Sequence, residues 1–535
     1  MFDLSSDSVR RWVVPLFFGA LLALGAALHQ DYGIGWDEST ERINGIINAK
    51  YVAQHLGLGQ LAQQEPNYHL VPELAASPDA DHGVAYQLLL LALERLCGAH
   101  DQRAIYLLRH FVNFLFFVAG AAALYALARR RFSDWRAGLL AAALLVLTPR
   151  FFAEAFVNYK DVVFASVFIL GVFTLWRMLQ RPNIWWVLLH AAASAFAIDV
   201  RTMGVLLPAL TVGFGLLETW QEPTRRRALL LAVAAYLPLM AAFTVAGWPY
   251  LWEAPFANFL LAFRSFSRYR STLHNFYLGE LISARHLPWH YASVWIVVTT
   301  PLPFIALALL GLGRTITDTW RSMRQWAVPV ATRFDLLVAA WLFGPLLSVI
   351  VFRSVIYDGW RHLYFVYPAL VLLMAAGFRT LLQALTRWAP RQRATLASLL
   401  TAGLLLPPLA YLVRAHPQQQ LYFSIPNTFA AGLFERDYWG VSYRQGLEWL
   451  LRRYPSGPLR VSGPHFMPLY NARLLLRPAE RERVVLSSPA QAKYLLTTER
   501  LSPPSLPLPP ATPLHQITAD GIIALRVLQV QYPMP

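Results

Sequence analysis

Val13-Val14-Pro15-Leu16-Phe17-Phe18-Gly19-Ala20-Leu21-Leu22-Ala23-Leu24-Gly25-Ala26-Ala27-Leu28 is apolar enough to enter a bilayer, and Gly35-Trp36-Asp37-Glu38 follows it after a short loop. A hydrophobic run of this kind reads as a membrane helix whose ends extend into flanking residues. The two carboxylates therefore stand where water begins again. Like charges side by side repel, so one of them is expected to hold its proton more tightly, which suits a proton acceptor. The arrangement points to chemistry on something held in the lipid.

Composition agrees with the opening run. The 535 residues are 56% hydrophobic and 14% charged, against about 25% charged in an ordinary soluble domain. The chain is expected to be an all-α polytopic membrane protein. Its formal charge of +16 would suit nucleic acid, but the arginines lie between apolar stretches and report topology instead. A single cysteine, Cys97, excludes an intramolecular disulfide framework and a cysteine-rich zinc site. Arg10-Arg11 before the first run resembles a signal sequence, yet the run is long and Ala27-Leu28-His29 is a poor cleavage site. It reads as an uncleaved anchor.

Working outward, candidate spans are Val13–Leu28, Phe111–Ala128, Ala137–Leu147, Val162–Leu179, Ile184–Ile198 and Met203–Leu217. Ala228–Trp248, Ala292–Leu312, Leu336–Phe352, Leu363–Leu382 and Leu396–Val413 complete about 11. Every second loop is rich in arginine: Arg10-Arg11, Arg129-Arg130-Arg131 with Arg136, Arg177 with Arg181, and Arg225-Arg226-Arg227. The series continues with Arg314, Arg321, Arg324 and Arg333, then Arg387, Arg391 and Arg393. Such a bias places these loops and the amino terminus in the cytoplasm.

The opposite loops then face outward, and they hold the ionisable groups. The first, about residues 30–107, contains Asp37, Glu38, Glu41, Glu65, Glu73, Asp79 and Asp81. Within it Glu41–Leu56 and Tyr86–Leu96 have the spacing of interfacial amphipathic helices, separated by a segment that Pro66, Pro72 and Pro78 keep irregular. The next outer loops carry Arg150, Glu154, Asn158, Lys160 and Asp161; then Asp199 and Arg201; then Arg264, Arg268, Arg270, His274, Glu280, Arg285 and His286; then Arg353 to His362. Residues 1–413 form the membrane domain in this reading. Residues 414–535 form a small extracytoplasmic α/β domain, with a helix at Tyr443–Leu451, strands at Leu459–Ser462, Lys493–Thr497 and Gly521–Val530, and a proline-rich connector at Pro503–Pro513.

Asp37 is placed to act as a general base toward an acceptor hydroxyl or amine at the membrane surface, and the alternative is that Asp37 and Glu38 cap the helix beginning near Ser39. Lys160 next to Asp161 reads either as a phosphate-binding lysine oriented by a carboxylate or as a snorkelling lysine beside a cap. Asp199 and Arg201 read as an ion pair across a tight turn or as part of a site. Tyr357-Asp358-Gly359-Trp360-Arg361-His362 offers a phenol, a guanidinium and an imidazole. Arginine matches phosphate bidentately, so Arg361 suits a departing phosphate, with interfacial anchoring by Tyr357 and Trp360 as the plainer alternative. His190 lies inside a span, where it serves as a relay or bonds a neighbouring helix. His274, His286, His290 and Glu280 fit no tight metal motif; no cofactor is assigned, and a divalent ion is left open.

Four stretches now form a pattern: Gly35–Glu38; Pro149-Arg150-Phe151-Phe152-Ala153 leading to Asn158-Tyr159-Lys160-Asp161; Tyr357–His362; and Asp437-Tyr438-Trp439-Gly440-Val441-Ser442-Tyr443-Arg444. In this order the chain resembles the GT-C superfamily of membrane glycosyltransferases, in particular bacterial relatives of protein O-mannosyltransferases and the lipid A aminoarabinose transferase. The resemblance implies the GT-C fold, a polyprenyl-phosphate-linked sugar donor, an extracytoplasmic acceptor (lipid, glycan or protein), inverting transfer and residence in the inner membrane. By resemblance Asp37 is catalytic and Asp161 matches the acidic residue of the second outer loop, with Glu38 beside them. Lys160, Arg201 and Arg361 are carried over as binders of the donor phosphate, and Tyr357 and His362, the phenol and imidazole beside Arg361, are expected to join them. The rival readings are a surface-polysaccharide polymerase or ligase with a pyrophosphate-linked donor, and a lipid-linked-sugar transporter or flippase. Transporters place ionisable groups at the bilayer midplane, whereas here they crowd the ends of the spans.

Overall fold

Proline sets the breaks in the helical bundle. The computed structural model describes residues 7–63, 68–267, 273–324, 328–500 and 510–531. Among these, nine helices are long and apolar enough to cross a membrane, or ten if Trp135–Val146 and Pro149–Val157 count as one span bent by 69°. The bend falls at Thr148-Pro149, where Pro149 has no N–H to give the preceding turn and Thr148 takes an extended backbone. Ile184–Val200 is a shorter apolar helix of 17 residues. The span expected at Ala292–Leu312 is divided by Pro301 into Tyr291–Val298 and Leu302–Met323, so the membrane helix starts later than the hydropathy suggests. Each of the other expected spans falls on a helix. Glu65, Pro66, Arg268, Arg270 and most of the Pro503–Pro513 connector lie outside the described residues.

Asp161–Gln180 is the central helix, with 89% of its apolar window buried, while Val9–Leu28 lies at the periphery with 11%. Small residues allow the closest crossings, as in membrane bundles generally. Leu302–Met323 and Tyr367–Trp388 meet at Gly311 and Gly377. A Cβ on Gly311 would lie 1.9 Å from the Leu373 carbonyl oxygen, and one on Gly377 would lie 1.9 Å from that of Leu307. Backbone cannot yield there as a side chain can. Gly377→Val is expected to cost about 1–3 kcal/mol or more through overpacking, read as a lower Tm and a lower yield of folded protein in detergent. An unchanged Tm would mean that the two helices do not pack this closely.

The arginine-rich loops gather at one end of the bundle. Arg131 Nε donates to Asp335 at 2.6 Å, and Arg333 pairs with Glu218 at 3.0 Å and Glu222 at 2.6 Å. At the other end lie the first-loop helices Glu38–His55 and Ala85–Leu96, close to the expected Glu41–Leu56 and Tyr86–Leu96. Glu94 ties them down by accepting from Arg42 at 2.8 Å and from Arg109 at 2.6 Å.

After the last apolar helix, Arg393–Arg414, the chain builds the helix Tyr443–Arg453 and a five-stranded sheet. The strand order is Val484–Leu486, Leu459–Ser462, Tyr494–Thr498, Ile522–Val530, Ala511–Ala519. The first two pairings are parallel and the last two antiparallel. Ile522–Val530 is buried on both faces: Leu525 and Val527 pack on the Tyr443–Arg453 helix, where Gly446 lies under Leu525, and Leu528 and Val530 pack with Leu495 on the other side. Four strands escape the hydropathy reading: Ala511–Ala519, which begins inside the proline-rich stretch, the short Val484–Leu486, and the two of the hairpin His274–Tyr277 with Glu280–Ser283.

Candidate active site

Three chain turns and the segment after the last membrane helix converge at the end of the bundle opposite the arginine-rich loops. In the first, the Gly35–Glu38 loop closes on itself: Glu38 Oε1 accepts from the Gly35 N–H at 2.6 Å, and His110 Nε2 lies 3.2 Å from Glu38 Oε2. Glu38 is thus buried beneath the loop. Asp37 occupies the position preceding the Glu38–His55 helix, yet its side chain caps nothing. The capping alternative therefore does not describe Asp37, whose carboxylate turns outward instead.

In the second turn, the side-chain oxygen of Asn158 accepts the backbone N–H of Asp161 at 2.8 Å and starts the central helix. Lys160 and Asp161 then project from that start. Lys160 Nζ pairs with Glu41 at 2.7 Å, and Asp161 pairs with Arg201 and, at 3.3 Å, with Arg361. Burial alone would raise the Glu41 carboxyl, but Lys160, His82 and Arg201 together outweigh it and leave it below the usual range. The ion pair expected between Asp199 and Arg201 is not formed. Helix Ile184–Val200 ends at Arg201, whose extended backbone turns that side chain toward Asp161, while Asp199 stays buried against Gly83 and Gly247. Trp360 is also no interfacial anchor: it is buried, and its Nε1–H donates to Thr299 at 2.9 Å.

The third turn is made by Asp358 and Gly359, both at positive φ (57° and 71°), an Asp-Gly pair suited to left-handed backbone. Asn275 from the His274–Ser283 hairpin holds it by accepting the Asp358 N–H at 2.9 Å. Arg361 follows directly. Its guanidinium reaches Asp37 at 3.5 Å, Asp161 at 3.3 Å, Asp358 at 3.0 Å and the Tyr438 hydroxyl at 3.1 Å. Tyr438 in turn donates to Asp37 Oδ2 at 3.0 Å. Arg500 pairs with Asp358 at 2.6 Å and with Glu435. Within this network the Asp37 side chain is 31% exposed, against 0% for Asp161 and 3% for Asp358. One carboxylate alone looks out.

Burial, together with the nearby Glu435 and Asp37, pushes the Asp358 carboxyl up to about 7 in spite of Arg361 and Arg500. The sign follows directly. Below about pH 7 Asp358 is neutral and Arg361 loses one competing carboxylate, so an anion bound at that guanidinium would be held more tightly. As pH rises through 7 that attraction weakens. Affinity for an anionic ligand there is expected to fall as pH rises from 6 to 8, and Asp358→Asn is expected to flatten the profile. A variant profile identical to that of the wild type would assign the titration to another group.

Tyr357 stands edge-on to His362, with ring centroids 4.5 Å apart, and its ring faces the Arg361 guanidinium at 5.3 Å. Both residues lie behind Arg361. His290 Nδ1 bonds the Tyr277 hydroxyl at 2.6 Å, and among the described residues no three of His, Cys, Asp and Glu are grouped to hold a metal ion. His190 lies between Thr174 at 3.0 Å and Thr211 at 2.8 Å, a bridge between helices.

Residues 81–248 match the family model of dolichyl-phosphate-mannose-protein mannosyltransferases. That stretch covers the helices from Ala85–Leu96 to Arg226–Gly247, with the two turns that carry Asp161 and Arg201. Among curated protein sequences none matches it. Among solved structures it is similar to ArnT from Cupriavidus metallidurans bound to undecaprenyl phosphate, at 16% identity and a TM-score of 0.47, over 96% of this chain and 98% of that one. It is also similar to the oligosaccharyltransferase AglB from Archaeoglobus fulgidus in complex with an inhibitory peptide and a dolichol-phosphate, at 11% identity and a TM-score of 0.46, over 91% and 70%. The apo Archaeoglobus fulgidus oligosaccharyltransferase matches at 12% identity and a TM-score of 0.44, and this chain spans 57% of its length.

The protein holds residues at this site that the motif reading did not single out: Asp358, Tyr438, Glu435, Arg500 and Glu41. Tyr438 and Asp358 stand inside two of the quoted motifs, so a signal existed. Arg500 and Glu435 had none, since only the sheet places them beside the membrane helices. Asn471 is a further surprise: its side-chain amide donates to the carbonyls of Gly35 at 3.1 Å and Trp36 at 3.3 Å. The Trp36 N–H donates to Trp439 O at 3.1 Å. The Asp37 loop is thus held from above by the segment after the last apolar helix.

Proposed function

We propose that the protein transfers a sugar from a polyprenyl-phosphate-linked donor to an acceptor outside the cytoplasm, with inversion. The observation that carries this reading is Asp37, the one exposed carboxylate of the network, held by Tyr438 beside Arg361. Asp37 takes the proton of the acceptor hydroxyl or amine. The acceptor atom forms a bond to the sugar C1 as the C1–O bond to phosphate breaks, and polyprenyl phosphate leaves with the electron pair. That leaving group needs little protonation, so one carboxylate suffices, unlike a glycoside hydrolase with its two. Arg361 faces the charge that develops on the phosphate, while Asp161 and Asp358 keep its fork oriented. Lys160 and Arg201 add positive charge on the membrane side of the site, and Glu38 holds the loop from below through His110. The family matched over residues 81–248 uses a donor of this chemical kind, dolichyl-phosphate-mannose. The arginine-rich end of the bundle faces the cytoplasm of an inner-membrane protein, in accord with the positive-inside rule, and the site faces outward.

The test is release of free polyprenyl phosphate by purified protein in detergent from a panel of polyprenyl-phosphate sugars with a cell-envelope acceptor extract. The linkage of the product is then read by NMR. Release with an inverted anomeric centre is expected; a retained configuration or no release from any donor would refute the assignment.

A further inference from the structure

The exposed side of the Asp37 loop carries groups that the reaction above does not use. Trp36 and His465 meet edge to face, with ring centroids 5.2 Å apart and planes at 69°. Both are partly exposed, and among the described residues neither ring makes a hydrogen bond. The Trp36 indole N–H and both His465 nitrogens are therefore open. His465 stands directly before the helix Phe466–Leu474, where a side chain often caps, yet it caps nothing. Burial, with the Arg500 guanidinium nearby, holds its imidazole below the ordinary range. At neutral pH the ring is uncharged, so one nitrogen donates and the other accepts.

Both rings are held in place. Asn471, on the helix that follows His465, donates to the carbonyls of Gly35 and Trp36 and so fastens that helix to the loop. Arg500 lies over the Tyr438 ring at 4.8 Å, and Tyr438 donates to Asp37. His465 is thus tied to the surroundings of Asp37 through Trp36 and through Arg500. Next to it, Phe466 is 61% exposed and stacks on Tyr470, with centroids 5.9 Å apart and planes at 18°. The aromatic surface continues beyond His465.

Three classes of acceptor would use this surface differently. A peptide lying along the loop needs free main-chain groups. Here the Gly35 N–H is given to Glu38, the Trp36 N–H to Trp439, and both carbonyls accept from Asn471. A phosphate needs a free cation, and Arg500, the cation beside His465, is already shared by Asp358 and Glu435. A sugar ring brings hydroxyls that donate and accept at once, and a C–H face that lies flat on indole.

We infer that Trp36 and His465 form the acceptor subsite and that the acceptor is a carbohydrate, with one ring on Trp36 and a hydroxyl of that ring at His465. His465 is a positioning residue: it holds the ring so that another hydroxyl meets Asp37. The inference rests on the transferase reading above, with Asp37 as the base.

The test uses the full-length protein in detergent with the polyprenyl-phosphate sugar that it turns over. Two acceptor panels are compared: free oligosaccharides of hexoses and N-acetylhexosamines, and peptides containing Ser and Thr. Transfer to oligosaccharides and not to peptides is expected. Trp36→Leu and His465→Ala are each expected to raise the acceptor KM about 5- to 10-fold, the loss of one or two hydrogen bonds or of the stacked face. His465→Gln, which keeps a donor and an acceptor, should recover most of that loss. Donor KM and affinity for free polyprenyl phosphate should stay within about twofold, which also shows that the variants are folded. Transfer to peptides or to the cell-envelope extract but to no oligosaccharide would overturn the acceptor assignment and leave the transferase reading standing. An unchanged acceptor KM in both variants, or equal loss of donor and acceptor affinity, would do the same. No release from any donor by the wild type, extract included, would overturn both.

Discussion

Asp37→Asn is expected to lower sugar transfer by about 10³-fold, within the 10²–10⁴ range over which a positioned general base contributes. The upper half of that range applies because departing phosphate needs no acid, which leaves deprotonation of the acceptor as the main proton step. The substitution is nearly isosteric, and the amide oxygen can still accept from Tyr438, which is 3.0 Å from the carboxylate. The loop itself rests on Glu38, Asn471 and Trp439 and not on Asp37. Donor KM, Tm and affinity for polyprenyl phosphate should therefore change little while kcat collapses. Turnover within about tenfold of the wild type would place the base elsewhere. Glu38→Gln is the informative companion: Glu38 is buried under the loop, so its loss should lower Tm as well as rate.

Arg361→Met should produce the second large effect, and on two observables. The guanidinium is shared by Asp37, Asp161 and Asp358, the last two of them buried. Removing one partner of a buried charge pair costs about 3–5 kcal/mol, because the remaining charge is left without compensation. Here Arg201 still faces Asp161 and Arg500 still faces Asp358, so the lower end applies, about 3 kcal/mol. Affinity for polyprenyl phosphate should fall at least 10²-fold, since a bidentate grip on phosphate is lost. Arg361→Lys separates the two effects: it restores charge without the fork, so stability should recover more than affinity. If Arg361→Met bound polyprenyl phosphate as the wild type does, Arg361 would be a structural clamp only.

Much of the architecture is legible in the chain because lipid imposes a simple rule. Each candidate span has a helix behind it, and alternating arginine clusters do mark one end of the bundle. What hydropathy could not show was where those helices break. Pro301 interrupts the run Ala292–Leu312, which looks continuous, for proline is apolar and still removes an N–H. In the sheet, Tyr494–Thr498 and Ile522–Val530 are visible as apolar strands. Ala511–Ala519 is not, because as an edge strand it is half-exposed and begins beside prolines.

The site was legible in part for a similar reason. Asp37, Asp161 and Arg361 sit at span ends and were chosen for that position, and the structure joins them through one guanidinium. Lys160 and Arg201 do stand beside them, though each already has a carboxylate partner. The Asp199 reading failed because a turn of backbone decides which side of a helix end a side chain leaves, and spacing alone does not carry that information. Arg500 reaches Asp358 across 142 residues of chain and Asn471 reaches Gly35 across 436, a separation at which no local pattern can speak.

That separation has a consequence for how the protein comes into being. The Asp37 loop follows the first span, whereas Tyr438 stands 401 residues further on and the Asn471 clasp on Gly35 spans 436. During synthesis the loop is made early and waits, unclasped, while the remaining helices follow. Its partners arrive only when the distal sheet has been delivered to the same side and has closed. A half-made chain therefore carries the reactive carboxylate but not the frame that aims it. Competence is switched on by completion of biogenesis, and a nascent polypeptide stalled in the translocation machinery would be chemically silent.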